Sequence, residues 1–289
     1  MQVAREPATS RAHEAEGISV IRTVRGRVHA AFQTVWVYLG FLYFGVGGIL
    51  YSFVSSLLYP LLPRAAAARL GRSGISLLVR SLLAFLKITG LIKLDLSALD
   101  QLKGERGVII APNHPSLLDA LFVISRVPQV SCIMKAKLWD NPIMGGGSRL
   151  AGYIRNDSPV NMVRQASDEV ISGHPLLIFP EGTRTLRQPI NEFKGGFALI
   201  AKKSRATIQT VFIETNSPFL SKGWPLLKRP QLPLIYRARL GKRFTVDGDV
   251  KTFVDQLQAY YREELSGDRP IARASVPAQH DSPRPDVAA

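Results

Sequence analysis

A histidine and an aspartate stand five positions apart in the stretch "NHPSLLD", Asn113 to Asp119, directly after the apolar run "GVIIAP" at 107–112. That run, bounded by Gly and Pro, reads as a short buried strand, and "SLLDALFVIS" starts a helix beyond it. Ligands in open α/β sheets bind outside the carboxyl ends of the strands, which is where His114 falls. Asp119 lies in the first turn of the helix and can fold back toward the loop. A carboxylate that accepts the imidazole Nδ1–H fixes the tautomer and leaves Nε2 as a base. Such a base can take the proton of a hydroxyl as it attacks an activated acyl carbon. A plainer reading stays open here. Ser116 and Asp119 also have the spacing of a capping box, which leaves His114 a solvated loop residue.

A second stretch, "LLIFPEGTRT" at 176–185, repeats the pattern of a buried strand emptying into polar residues. Gly182 lets the backbone approach a ligand closely. Arg184 suits a two-pronged grip on phosphate or carboxylate. Taken alone, Glu181 and Arg184 can equally be an ion pair that holds a turn.

The elements that must place these residues alternate. "VSCIM", "PLLIFP" (175–180) and "TIQTVFIE" (207–214) read as further strands. "SPVNMVRQASDEVISG" reads as a helix with Ser158 as N-cap, Pro159 at its first position and Gly173 beyond its end. "KGGFALIAKKS" and "DVKTFVDQLQAYYREEL" are further helices. The alternation predicts an α/β fold, a mixed sheet covered by helices, over 95–265. The last residues, 266–289, are rich in Pro and Ala without periodicity and read as a disordered tail.

The N-terminal third differs. Residues 1–16 are polar and aperiodic, suggest a frayed terminus and lack the pattern of a secretory signal. From Ala30 to Pro63 no residue is charged. A single membrane span needs about 20 apolar residues and two need about 40, so this run suits one long tilted helix or a shallow hairpin turning at Gly45, Gly47 and Gly48. Arg22, Arg25 and Arg27 before it, and Arg64, Arg69 and Arg72 after it, favour the hairpin and the cytoplasmic side. At about 65–92 follows an amphipathic helix with Arg69, Arg72, Arg80 and Lys87 in one sector, the pattern of an interfacial helix on anionic lipid. An ordinary core helix with a solvated face is the plainer alternative. Residues 1–94 together read as a membrane-association segment. The formal net charge of +15 calls for an anionic partner. No zinc-finger spacing or aromatic RNA-binding motif directs that charge to nucleic acid. Cys132, the lone cysteine, excludes an internal disulfide and reads as a core residue.

The two polar stretches, in this order and about 67 residues apart, resemble the paired N-H-x-x-x-x-D and F-P-E-G-T-R motifs of the glycerolipid acyltransferases, which include the lysophosphatidic acid acyltransferases. The match runs roughly over 105–215. The resemblance implies His114 as general base with Asp119 orienting it. It implies Asn113, Glu181, Gly182, Thr183 and Arg184 as the acceptor site, "EGTR" taking its phosphate or equivalent polar head. It further implies a lysophospholipid acceptor, an acyl thioester of coenzyme A or acyl carrier protein as donor, no cofactor or metal, and a place on the cytoplasmic face of a membrane. Three departures mark a divergent subgroup: Arg155 lies one place after Ile154 rather than two, Lys137 stands where an acid is frequent, and "IQTVFIE" lacks a proline. Phosphatidic acid formation is the simplest reaction this implies. An ornithine-lipid or polyene-lipid acceptor, or a non-catalytic lipid-binding module, are the alternatives. Without a G-x-S-x-G sequence a serine hydrolase is disfavoured.

Overall fold

The computed structural model describes residues 8–266 apart from Met144, Leu226 and Leu227, with side chains from Ala31 onward. Of the tail expected over 266–289, Ser266 ends a helix and the rest lies outside the described residues.

Helix α1 (Ala8–Leu58) is continuous over 51 residues. It starts inside the stretch whose polarity suggests a frayed terminus, and no proline between Pro7 and Pro60 interrupts it. It also passes straight through Gly45, Gly47 and Gly48, so the hairpin expected at those glycines does not form there. The chain instead reverses over Tyr59–Pro63, where Pro60 and Pro63 remove two backbone donors. Helix α2 (Arg64–Ile88) returns antiparallel along α1. Tyr51 Oη donates to the Gly71 carbonyl at 2.7 Å, and farther along Tyr43 Oη donates to Ser81 Oγ at 2.8 Å. Residues 31–61 have the length and hydropathy of a membrane span, and only 11% of their most apolar window is buried. Phe32, Leu42, Leu50, Phe53 and Leu57 are exposed, a face for which lipid is the fitting solvent.

Seven strands form one sheet: β1 (Ile92–Asp95), β2 (Ile109–Pro112), β3 (Ser131–Lys135), β4 (Ile154–Asn156), β5 (Leu176–Leu177), β6 (Ile208–Thr215) and β7 (Leu234–Phe244). Their order is β1-β7-β6-β2-β5-β3-β4. Every pair is parallel except β6 with β7. The expected mixed sheet is present. Successive strand residues point to opposite faces, so Ile110, Leu177 and Val211 enter one core while Ile109, Leu176 and Phe212 enter the other. The first core is closed by α2 and α3 (Asp119–Arg126) through Val79, Leu83, Phe122 and Val123. The second is closed by α6 (Pro159–Ile171), α7 (Gly196–Ser204) and α8 (Val250–Ser266) through Val170, Phe197 and Leu257. Truncating a fully buried side chain such as Phe122 to alanine costs about 3–5 kcal/mol.

The short helices α4 (Ala136–Trp139) and α5 (Gly145–Leu150) follow β3, and α5 docks on α1. A Cβ at Gly146 would lie 2.1 Å from the Ser52 carbonyl oxygen, so only glycine permits this approach. The Gly146 N–H then donates to Ser52 Oγ at 2.9 Å.

Arg72 departs from the basic stripe expected on α2. It is buried, donating to the carbonyls of Ala151 and Gln129 and pairing with Glu169 of α6 at 2.5 Å. On the same helix face Ser76 bonds the Ile124 carbonyl of α3 and Val79 packs into the core, and this face carries the charge in with it. Arg69, Arg80 and Lys87 remain exposed.

Candidate functional site

The loop after β2 is fixed by Asn113. Its amide Nδ2 donates to the Ile213 carbonyl at 3.0 Å, and its Oδ1 accepts from the Ile213 N–H at 2.7 Å. A side chain thus extends the β2–β6 ladder by one rung, and the next residue, His114, is held at the strand exit. Asn113 is buried and does not line the cavity described below.

Asp119 opens α3 and is fully buried. One oxygen, Oδ2, accepts from the Ser116 N–H at 2.7 Å and faces His114 Nδ1 at 3.0 Å. The bond back to the Ser116 N–H is the acid's half of the expected capping box, but Leu118 rather than Ser116 is the N-cap, and His114 is paired rather than solvated. This partner assigns the proton to Nδ1 and leaves Nε2 open. The ring is stacked on Phe179, with centroids 3.8 Å apart. Burial pushes the Asp119 carboxyl up to about 6, against the pull of its bond to His114.

Glu181 is buried as well. It accepts from the His114 N–H at 2.9 Å, from the Asn191 N–H at 2.8 Å and from Thr185 Oγ1 at 2.9 Å. Thr185 N–H in turn donates to the His114 carbonyl at 2.7 Å. The acid of "EGTR" is thus a brace between the two loops rather than a partner of Arg184. Burial raises its carboxyl above the ordinary range. Gly182, with φ at +67°, adopts the left-handed conformation that other residues resist.

Arg184 Nη1 donates to the carbonyls of Leu220 and Ser221 at 2.8 and 3.0 Å. The turn-holding pair with Glu181 is not what the structure contains.

His114, Gly182, Thr183 and Arg184 line a single cavity of about 1190 Å³, while Asn113, Asp119 and Glu181 stand behind its wall. From His114 the cavity runs between the sheet and the α1–α2 pair, past Phe41, Phe44, Ile75 and Leu78. Its lining is mainly apolar, and it holds Lys135, Lys194 and Lys222 together with Arg184. The sequence reading missed these three lysines. Lys135 ends β3, and a strand-exit position could have flagged it. Lys194 lies with its Cγ 3.3 Å from where a Gly182 Cβ would be, a contact no spacing encodes. Arg155 is held by Asp140 at 2.7 Å and by Asp157, outside the cavity lining.

Residues 93–214 match the sequence profile of the Acyltransferase family. A 1-acyl-sn-glycerol-3-phosphate acyltransferase of Helicobacter pylori is 30% identical over 165 residues, 54% of this chain and 67% of that protein. A lyso-ornithine lipid O-acyltransferase of Rhodobacter capsulatus is 34% identical over 92 residues, 30% of this chain and 33% of that one. The chain spans less than half of a 1-acyl-sn-glycerol-3-phosphate acyltransferase of Chlamydomonas reinhardtii that it also resembles, 28% identical over 47% of this chain and 43% of that protein. In fold, the crystal structure of the 1-acyl-sn-glycerophosphate acyltransferase PlsC of Thermotoga maritima superposes with a TM-score of 0.58. It does so over 84% of this chain and 99% of that one, at 18% identity.

Proposed function

The chain belongs to the 1-acyl-sn-glycerol-3-phosphate acyltransferase family, which is one of O-acyltransferases, and from that premise we propose that it acylates the free hydroxyl of a lysophospholipid at a membrane surface. The simplest such reaction converts 1-acylglycerol-3-phosphate to phosphatidic acid. The observation that carries this reading is the His114–Asp119 pair opening onto one cavity that is apolar along its length and cationic beside the histidine.

The geometry supports the following roles in this reading. Asp119 holds Nδ1–H, so Nε2 takes the proton of the acceptor hydroxyl as its oxygen attacks the thioester carbonyl carbon. Collapse of the tetrahedral species breaks the C–S bond. The departing thiolate takes the proton back from the imidazolium, leaving an ester, a free thiol and neutral His114. The acyl chain occupies the apolar run between α1, α2 and the sheet. Arg184 and Lys135 take the acceptor phosphate, and Thr183 and Gly182 form the wall beside it. The donor is an acyl thioester of coenzyme A or acyl carrier protein, with no further cofactor. The basic residues flanking 31–61 favour the cytoplasmic face of the membrane. Residues 1–94 then associate with lipid while 95–265 carry the chemistry, although α2 is also part of the core.

The deciding experiment uses the full chain purified in detergent. Palmitoyl-coenzyme A and palmitoyl-carrier protein are each offered with 1-acylglycerol-3-phosphate and with lyso-ornithine lipid, and products are read by mass spectrometry. The expected product is phosphatidic acid. Diacylated ornithine lipid alone would move the acceptor assignment to that lipid. Thioesters left intact with every acceptor would sink the catalytic reading in favour of a lipid-binding module.

A further inference from the structure

At the end of α3 opposite Asp119, a second cleft of about 270 Å³ opens between α2, β1, the turn Ser97–Leu102 and α3. It shares no lining residue with the acyl-transfer cavity. Four cations line it, Arg80, Lys87, Lys103 and Arg126, over an apolar floor that includes Leu83 and Leu94. Among the described residues one acid pairs with them. Asp100 pairs with Lys103 at 2.8 Å and with Arg126 at 3.1 Å. Arg80 and Lys87 are exposed and have no hydrogen-bond or ion-pair partner among the described residues.

Two uncompensated cations in a concave site call for an anion. Arg80 and Lys87 are seven residues apart, two helical turns, and so project from one side of α2. The adjoining sector of the same helix carries Leu77 and Ile88, which are 68% and 86% exposed. A cationic row beside a bare apolar row is the profile of a helix lying where lipid phosphates meet acyl chains. The cleft has the chemistry for a phosphate group, and the apolar floor and neighbouring apolar row favour a phosphate that carries acyl chains over the free ion.

We propose that this cleft binds the phosphate of an anionic membrane lipid, at a site separate from the acyl-transfer cavity, and so seats the catalytic domain on the bilayer. It does not depend on which acceptor the enzyme acylates.

The test uses the full chain in detergent with phosphatidylglycerol, phosphatidylcholine or inorganic phosphate as probe. Retained lipid is read by native mass spectrometry and stability by Tm. The variants are Arg80→Gln with Lys87→Gln, each of these singly, and a charge-matched control, Lys203→Gln with Lys251→Gln, at exposed positions elsewhere. Wild type is expected to retain phosphatidylglycerol in preference to phosphatidylcholine and to gain Tm from it, with inorganic phosphate inert. The double variant should bind it about tenfold or more weakly, each single variant should lose part of that, and the control should match wild type. If inorganic phosphate alone stabilises wild type but not the double variant, the lipid source is overturned and the cleft is a free-phosphate site. Equal retention in wild type and double variant, or an equal loss in the control, would overturn the site itself.

Discussion

The main-chain N–H of His114 donates to the buried carboxylate of Glu181 at 2.9 Å, across 67 residues of sequence. The acid of the second motif therefore sets the position of the base in the first. Since Glu181 also accepts from Asn191 and Thr185, both its oxygens are committed to donors. Glu181→Gln places an amide N–H₂ against at least one of these donors and leaves it unpaired in the interior, which costs about 1–3 kcal/mol. The expected result is a lower Tm and a reduced kcat with both KM values close to wild type. Thermal melts and steady-state kinetics on the one variant check it. An acceptor KM raised alone would instead place Glu181 in contact with substrate.

His114→Ala removes the base while leaving the braces around it. Turnover should fall by about 10²–10⁴, with Tm reduced by the lost stacking on Phe179 and the lost bond to buried Asp119. Acyl transfer is followed by mass spectrometry alongside thermal melts. Near-normal turnover would remove His114 from the reaction.

The pH profile follows from Asp119. Its carboxyl, raised by burial to about 6, must be ionised to hold the imidazole in the working tautomer. The rate should therefore decline on the acid side as pH falls through about 6. For stability the sign is opposite. The folded chain holds this proton more tightly than the unfolded chain, so the contribution of Asp119 is greatest at low pH. It is lost as pH rises from about 4 to about 6, by no more than about 3 kcal/mol. Asp119→Asn should abolish this stability step and also impair turnover. Urea titrations from pH 4 to 7 give the first, and kcat against pH gives the second. A wild-type rate flat down to pH 5 would mean the carboxyl is not raised.

How much of this could be read from residues alone differs by element. Strand β2 is buried along its whole length and appears as an uninterrupted apolar run. Strands β3 and β6 are dominated by apolar residues around Ser131, Gln209 and Thr210, and the sequence reading of all three lies within a residue or two of the observed bounds. Strand β7 escaped because Arg237, Arg239 and Arg243 alternate with its core residues. Only the fold shows that Arg239 lies over the Phe212 ring at 4.0 Å and pairs with Glu214 and Glu264. The glycines of α1 misled because their usual cost in a helix, about 0.5–1 kcal/mol of backbone entropy each, is decisive only where an open chain can be solvated by water. Gly45 is exposed on a face suited to lipid and Gly48 lines the apolar cavity, and in either apolar setting an unpaired backbone group costs more than glycine's entropy. The roles of Asn113 and Glu181 were beyond reach for another reason. Both act through backbone groups 100 and 67 residues away, and spacing carries no trace of that.

Arg72 tests whether the α1–α2 pair is part of the catalytic domain. Its guanidinium satisfies two carbonyls and Glu169. Arg72→Ala leaves the carbonyls unpaired and a half-buried acid without its cation, an expected loss of about 2–4 kcal/mol. Arg72→Lys should recover little, since one ammonium cannot span three acceptors from the same site. Limited proteolysis and Tm check it. A variant as stable as wild type would mean that the apolar packing of α2 through Val79 and Leu83 holds it without the Arg72 bonds.

Arg184 stands at the cavity wall with Nη1 on the carbonyls of Leu220 and Ser221, which leaves Nε and Nη2 for an acceptor phosphate. Two consequences can be separated. Loss of a charge-assisted bond worth about 1.5–3 kcal/mol should raise the acceptor KM about ten- to a hundredfold in Arg184→Ala. The bonds to Leu220 and Ser221 give a second effect, a modest fall in Tm as the loop carrying Phe219 and Lys222 loosens. Arg184→Lys keeps a charge but not the planar fork, so it should restore part of the acceptor affinity and little of the Tm. Donor KM should stay within a few-fold of wild type in both variants. If acceptor and donor KM rise together in step with the loss of Tm, Arg184 serves only to hold the loop, and the phosphate must be taken by Lys135 and its neighbouring lysines instead.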